Sequence, residues 1–305
     1  MFSKNFRILE LPVVKQLIQF LKQLQLPGFQ GFSVFDLLEM YAIGLFKGAL
    51  TTRAGSISFS FFMALFPFLL FVLNLIPFVP IQNFDASFLA FIESLLPESS
   101  LDFFVEIYTD IKQNRRGGLL SSSFLLSIIL IGNGVNAIFG GFSDSYNVLI
   151  TRHFVKQYLF ALLIGLLLSI VLIIAVSGFV FFEVSIIRNL SESGILDNQE
   201  NILLVGKYTF FIALAIVSTS LLYYFGTAEK KQVRFFSPGA FMTSILFIAT
   251  TYLFGIYIDN FSNYNELYGS IGALLILMLY IWLNAIILLL GFELNAAFNR
   301  LNKKH

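Results

Sequence analysis

The sequence predicts an all-α, polytopic membrane helix bundle with about six transmembrane helices. Of its 305 residues, 57% are apolar and only 12% are charged, whereas an ordinary soluble domain is about one-quarter charged. Several apolar runs also exceed the roughly 18 residues that a helix needs to cross the hydrocarbon core of a bilayer. A soluble protein of this size needs more charge to cover its surface. The composition therefore excludes the soluble class.

The N-terminal segment, residues 1–53, is predicted to hold cytoplasmic amphipathic helices. In residues 11–26 one face is apolar: Val14, Leu17, Ile18, Leu21 and Leu24. Lysines and glutamines occupy most of the other face, so this helix is too polar to span. It either lies in the membrane interface or packs on other protein. Ser33, followed three residues later by Asp36, predicts the capped start of a second helix over residues 34–50.

Six apolar segments within residues 54–297 are the predicted spans: about 54–81, 119–141, 158–182, 202–225, 238–258 and 270–297. The first is longer than the roughly 20 residues that a span needs, which predicts a tilt, or a kink at Pro67. Residues 84–118 show apolar residues at helical spacing among acidic ones. They predict a helical segment on the outer surface. Residues 298–305 are a predicted cytoplasmic tail.

The distribution of basic residues predicts the orientation. Fourteen of the 19 Lys and Arg residues fall in the N-terminal segment, the 142–157 and 226–237 loops and the C-terminal tail. Because basic residues favour the cytoplasmic side of a membrane, both termini are expected in the cytoplasm.

Several motifs, taken together, resemble one bacterial family. The fifth and sixth spans carry Ser237-Pro238-Gly239-Ala240, Tyr257, Phe261-Ser262-Asn263-Tyr264-Asn265, Tyr268-Gly269-Ser270-Ile271-Gly272-Ala273 and Leu290-Gly291-Phe292-Glu293-Leu294-Asn295. The first and second spans carry Arg53-Ala54-Gly55-Ser56-Ile57-Ser58-Phe59, Leu65-Phe66-Pro67, Asn136-Ala137-Ile138-Phe139 and Tyr146-Asn147-Val148. Over residues 35–300 these motifs resemble the YihY/BrkB family of bacterial inner-membrane proteins. One departure is Met278-Leu279-Tyr280 followed by Trp282, where members often have Trp before the Leu-Tyr pair.

The resemblance implies six spans in the bacterial inner (plasma) membrane, without an agreed biochemical activity. Some members carry the label ribonuclease BN, another gave the family its virulence-factor name, and several are suspected of handling lipids or other amphiphiles.

Catalytic and metal-binding patterns are absent from the sequence. There is no Cys, and the two histidines are His153 and the terminal His305, whereas a zinc site needs three or four convergent ligands. No Walker, HExxH or GxSxG motif occurs. A net charge of +1 gives no bias toward nucleic acid. We therefore expect no enzyme, no cofactor, no metal and no nucleic-acid partner, and ribonuclease activity is disfavoured.

Ionisable residues at membrane depth are the first candidates for a site, because their burial is costly. Arg53 opens the first span and Glu293 lies near the same end of the sixth, so the two are predicted to pair. The pair either holds two helices together or contributes to a substrate path.

Uncharged polar residues are the second group of candidates. Asn133 and Asn136 in the second span and Asn284 in the sixth either form hydrogen bonds between helices or line an internal cavity. The outer loop carries Asp259, Asn263, Tyr264 and Tyr268. It is either an interfacial cap with Tyr anchors or an outer gate that contacts headgroups.

These features favour transport or translocation of an amphiphilic or lipid-like molecule, with membrane lipids as the partners. The alternative is a non-transporting scaffold or regulator that acts through protein contacts, and an enzyme within the membrane is a third reading. A transporter needs a cavity that reaches the middle of the bilayer, whereas a scaffold needs a tightly packed bundle.

Overall fold

The fold is that of a computed structural model, which describes residues 12–24, 33–47, 49–75, 89, 105, 108–109, 117–145, 153–181, 199–226, 235–260 and 270–303. These residues form eight helices. They are α1 Pro12–Gln23, α2 Val34–Lys47, α3 Leu50–Leu75, α4 Gly117–Ser143, α5 Phe154–Phe181, α6 Gln199–Gly226, α7 Pro238–Asn260 and α8 Ser270–Lys303. The prediction of an all-α membrane bundle is confirmed.

Five of these helices, α4 to α8, are long and apolar enough to cross a membrane. They correspond to the second to sixth predicted spans, and α7 and α8 begin at the predicted residues. The predicted first span forms the continuous helix α3 with Pro67 inside it. Its crossing of the bilayer and its kink stay predictions, and residues 76–81 lie outside the described part. So does the predicted outer segment 84–118, apart from a few residues.

The start of α2 confirms the predicted capping arrangement. The Ser33 amide donates to Asp36 Oδ2 at 2.8 Å, and the Asp36 amide donates to Ser33 Oγ at 3.2 Å. Each side chain thus satisfies a backbone N–H that has no partner within the helix. The helix ends at Lys47, earlier than the predicted residue 50, and a turn at Ala49 (φ 45°) leads into α3.

The six long helices form a ring. Each of α3 to α8 packs against the next one along the chain, and α8 packs against α3. This order agrees with the general tendency of consecutive elements along a chain to be neighbours in space. Contacts of α4 with α6 and with α8 cross the ring. Outside the ring, α2 packs on α8 and α3, and α1 packs on α2.

Burial is concentrated at one end of the ring. This packed end comprises residues 53–64 of α3, 132–145 in and after α4, 161–165 of α5, 219–226 of α6, 237–244 at the start of α7 and 285–297 of α8. Nearly all of the buried side chains of these helices lie there. They are one core that includes Ile57, Phe139, Ala161, Tyr223 and Leu289.

The halves of α5 to α8 that lie away from the packed end show much less burial. We call residues 166–178, 205–218, 245–258 and 274–284 the open half. None of the side chains described in these four stretches is buried. Each stretch covers three to four helical turns, so every face of the helix is represented. The helices still touch in pairs, as where the rings of Phe254 and Tyr280 lie 4.9 Å apart.

Two glycines allow α7 and α8 to approach closely at the packed end. A Cβ on Gly291 would overlap Thr243 Oγ1 and lie 2.7 Å from the Gly239 carbonyl oxygen. A Cβ on Gly239 would in turn overlap the Gly291 carbonyl oxygen. Small residues at such a crossing let two membrane helices pack backbone to backbone.

Candidate functional site

A buried ion pair joins α3 to α8 at the packed end. Arg53, in the first turn of α3, places Nη1 2.8 Å from Glu293 Oε1. Arg53 is 5% exposed and Glu293 is 0% exposed. The predicted pairing is therefore confirmed. A charge pair without access to water needs additional hydrogen bonds to balance its desolvation.

Those additional bonds come from the end of α4. Ser145 Oγ donates to Glu293 Oε2 at 2.8 Å, so both carboxylate oxygens accept a hydrogen bond. Arg53 Nε donates to the Gly141 carbonyl oxygen at 2.8 Å. This carbonyl lies in the last turn of α4, where carbonyls lack helical partners and a cation is favoured by the helix dipole. Arg53 thus lies between a carboxylate and the negative end of a helix.

Helix α2 covers this ion pair from outside the ring. Burial, together with the negative charge of Glu293, raises the pKa of Tyr41 to about 12. Both causes favour the neutral phenol. The Tyr41 side chain therefore stays uncharged beside the carboxylate at physiological pH.

A second set of polar contacts joins α8 to the start of α7. The Gly239 amide donates to Asn295 Oδ1 at 2.8 Å, and Asn295 Nδ2 donates to Ser237 Oγ at 2.8 Å. Ser237 Oγ also accepts from the Ala240 amide at 3.3 Å. A side chain of α8 and the capping Ser237 thus satisfy the first amides of α7, after Pro238, which has no N–H to satisfy.

A third set joins α6, α7 and α8. The Tyr223 hydroxyl lies 2.6 Å from Thr243 Oγ1 and donates to the Leu288 carbonyl oxygen at 2.7 Å. The same Tyr223 packs in a cluster of aromatic rings that we call the aromatic plug. Its members are Phe139, Phe142, Tyr223 and Phe292, all at most 1% exposed.

The aromatic plug fills the centre of the ring at the packed end. The rings of Phe142 and Phe292 stack with their centroids 4.0 Å apart, and Tyr223 lies 5.7 Å from Phe142 and 6.2 Å from Phe292. These side chains come from α4, α6 and α8, which are not consecutive around the ring. Aromatic rings in such contact add stabilisation beyond the area that they bury. Aromatic side chains therefore occupy the interior of the ring at this level.

The three candidate asparagines do not form one group of hydrogen bonds. Asn136 Oδ1 accepts from Gln157 Nε2 at 3.1 Å, which joins α4 to α5 and confirms a hydrogen bond between helices at this position. Asn284 Nδ2 donates to the Tyr280 carbonyl oxygen of its own helix at 2.8 Å. Asn133 is exposed, and it lies on the face of α4 opposite the buried Val135. It therefore faces away from the ring.

Of the three asparagines, Asn284 lies at the border between the packed end and the open half. It lies in the open half, one turn from the packed Leu288, and it is half-buried. The outer-loop candidates stay predictions: Asn263, Tyr264 and Tyr268 lie outside the described residues, as does the side chain of Asp259. In the described part of the chain, no three His, Asp or Glu residues are grouped as metal ligands.

Sequence reasoning missed five polar residues of the packed end: Ser145, Tyr223, Ser237, Thr243 and Asn295. Two of them carried a signal, because Ser237 and Asn295 belong to the motifs of the fifth and sixth spans. The motif residues Gly239, Gly291 and Glu293 belong to the same contacts. Tyr223 and Thr243 had no signal, since an isolated Tyr or Thr in an apolar span has many possible partners.

Comparisons with known proteins agree with the resemblance of these motifs. The family model described as Virulence factor BrkB matches residues 46–305. A Bacillus subtilis protein named as ribonuclease-like, YfkH, is 29% identical over 253 residues, which cover 83% of this chain and 91% of that protein. A UPF0761 membrane protein of Kangiella koreensis is 36% identical over 90 residues, 29% of this chain and 23% of that protein. No solved structure gives a significant match.

Proposed function

Because the chain belongs to the virulence factor BrkB family of membrane proteins, we propose that it translocates an amphiphilic or lipid-like molecule. In this proposal the open half is the substrate vestibule, and the packed end is a closed gate. The observation that carries the proposal is the contrast in burial between the two ends of the same helices.

The dimensions and chemistry of the open half fit an apolar chain. The 14 residues 245–258 of α7 extend for about 20 Å at the helical rise of 1.5 Å per residue. No charged residue occurs in 166–178, 245–258 or 274–284, where the polar groups are hydroxyls and amides, such as those of Thr251, Tyr280 and Asn284. The fourth stretch, 205–218, carries one charged residue, Lys207, near its end away from the packed end. A wall of this kind suits the hydrocarbon part of an amphiphile, with hydrogen bonds for a few polar atoms.

We place the packed end on the cytoplasmic side of the bacterial inner membrane. The support is the excess of Lys and Arg in the segments at that end, because basic residues remain in the cytoplasm. Both termini then lie in the cytoplasm, and the vestibule opens toward the outer leaflet.

The gate would open by separating α3 and the end of α4 from α8. Opening requires that the Arg53–Glu293 ion pair separates and that water or substrate replaces each partner. It also requires that the stacked rings of Phe142 and Phe292 separate. All of these contacts join different helices, so a rigid-body movement of a few helices breaks them together. Alternating exposure of one vestibule to two sides is the general scheme of membrane carriers.

A scaffold or regulator is less consistent with the same observation. A bundle whose task is to hold a shape gains from van der Waals packing and hydrogen bonds between its helices, whereas each of α5 to α8 contains a stretch of 11 to 14 residues without a described buried side chain. Ribonuclease activity is suggested only by the name of one relative. No group of residues in the described part of the chain supports this activity, so ribonuclease activity is not part of the proposal.

Native mass spectrometry of protein released from nanodiscs tests the proposal. We expect a chemically narrow set of lipids to remain bound at about one per chain. The variant Asn284→Leu, in the open half, should lose this bound lipid while the protein stays folded. The control variant Asn133→Leu should keep the lipid, because Asn133 faces away from the ring. Retention of only bulk lipid, in equal amounts by the wild type and both variants, would contradict translocation through the vestibule.

A further inference from the structure

Helix α1 leaves part of its apolar face uncovered. Ile18 and Leu21 are half-buried where α1 packs on α2. Phe20 and Leu24, one helical turn apart, are 59% and 42% exposed. Leu38 of α2 is 45% exposed. We call Phe20 and Leu24 the apolar edge of the α1–α2 pair. Exposed apolar groups grouped in this way mark a contact surface rather than a solvated one.

The two helices form one unit that is fixed to the ring. The Val34 amide donates to the Leu24 carbonyl oxygen at 2.8 Å, which ties the start of α2 to the end of α1. The Lys22 ammonium lies 5.0 Å from the centroid of the Phe35 ring, within the range of a cation–π contact. Helix α2 packs in turn on α8 and α3. The apolar edge is thus held in place relative to the transmembrane helices.

The position of this unit corresponds to the surface of the membrane. Only two residues separate the end of α2 at Lys47 from the start of α3 at Leu50. Because α3 is the predicted first span, we expect α2 where the ring meets the headgroup region, with the amphipathic helix packed on it within reach of the lipid. Such a helix buries its apolar face by about 5–10 Å at the boundary of the headgroups and acyl chains.

The charge of the segment indicates which lipid surface fits. Residues 1–24 contain Lys4, Arg7, Lys15 and Lys22 against the single acid Glu10. Each basic residue near an anionic leaflet contributes about 1 kcal/mol of attraction. An apolar edge on a basic segment is complementary to a leaflet that carries negative headgroups.

We propose that the apolar edge binds the anionic lipid surface around the packed end of the ring. Phe20 and Leu24 enter the leaflet, and the net positive charge of the segment favours a leaflet with anionic headgroups. This anchors α2, and with it Tyr41, over the buried Arg53–Glu293 pair. The inference concerns the membrane surface and does not depend on which molecule the ring translocates.

The absence of Cys from the chain allows a direct test with single introduced cysteines. Phe20→Cys is labelled with an environment-sensitive fluorophore, and the full-length protein is placed in nanodiscs that contain brominated phosphatidylglycerol. Gln19→Cys is the matched control, because Gln19 is also exposed but lies about 100° around the helix from Phe20. Neither residue faces α2, so neither label should disturb the fold.

We expect bromine to quench the label at position 20 at least threefold more than the label at position 19. The difference in quenching between the two positions should be smaller in nanodiscs of brominated phosphatidylcholine. It should also be smaller at about 1 M salt, where the Debye length falls to about 3 Å. Equal and weak quenching at both positions in the anionic nanodiscs would overturn the proposal. So would crosslinking of a photoreactive label at position 20 to a cellular protein instead of to lipid.

Discussion

The packed end and the open half are built from the same helices, yet they hold together in different ways. At the packed end Arg53, Tyr223 and Asn295 form hydrogen bonds across helices, and glycines bring the backbones of α7 and α8 together. In the open half α7 and α8 still touch without burying a described side chain, as where Thr251 Oγ1 lies 2.7 Å from the Tyr280 hydroxyl. The apolar character of a span therefore does not determine how tightly it packs, because lipid solvates apolar side chains as well as protein does.

The largest expected effect is at the ion pair. Glu293→Leu leaves the buried Arg53 without its carboxylate, which should cost about 3–5 kcal/mol of unfolding free energy. Denaturant titration in detergent measures it. The control is the double variant Arg53→Met with Glu293→Leu, which removes both charges and should recover most of the loss. A Glu293→Leu protein as stable as the wild type would show that the pair does not hold the packed end.

A smaller effect is expected at the crossing of α7 and α8. Gly291→Ala places a Cβ against Thr243 and the Gly239 carbonyl, and such overpacking should destabilise the protein by about 1–3 kcal/mol. The matched control is Gly255→Ala in the open half of α7, where a Cβ meets no atom within 4 Å. That change should be neutral or stabilising by up to about 1 kcal/mol. Equal losses of stability for the two variants in thermal unfolding would contradict the difference in packing between the packed end and the open half.

Removal of the Asn295 side chain should have an intermediate effect. Asn295→Ala leaves the Gly239 amide without its acceptor, a loss of about 1–2 kcal/mol for a helix N-terminal contact. Hydrogen exchange should rise at the first turn of α7 and remain unchanged in residues 245–258. Unchanged protection at Gly239 would contradict this role of Asn295.

The smallest effect is expected in the open half. Thr251→Val removes the hydrogen bond to Tyr280 but keeps the shape of the side chain. The expected loss is about 0.6 kcal/mol, the average for hydrogen bonds between membrane helices. A loss as large as that of Glu293→Leu, measured by the same titration, would mean that the open half is packed as firmly as the other end.

Much of this architecture was predictable from the sequence, because hydropathy and caps act locally. The apolar lengths predicted helices that match α4 to α8, and Ser33 with Asp36 predicted the start of α2. The pairing of Arg53 with Glu293 was also predictable, since each is an ionisable residue at the same end of its span. The motif Leu290–Asn295 indicated where the polar contacts concentrate.

The contrast between the two ends was not predictable in this way. Residues 166–178 of α5 are as apolar as the packed spans, so hydropathy does not distinguish these unburied residues from buried ones. The bonds of Tyr223 to Thr243 and Leu288 join residues that are 20 and 65 positions apart, and nothing in the local sequence specifies such partners. Asn133 and Asn136 are equally polar, but they lie three residues apart and face different surroundings.

Thiol accessibility along α7 shows whether one end of the ring is closed and the other is open. Single cysteines replace Ser244 in the packed end and Thr251 in the open half, both on the face that continues from the buried Ala240. Ile245→Cys serves as the lipid-facing control, since Ile245 is exposed on the opposite face. A membrane-impermeant maleimide is applied to intact cells. We expect labelling at position 251 and none at 244 or 245. Labelling at 244, or none at 251 in a folded protein, would contradict it.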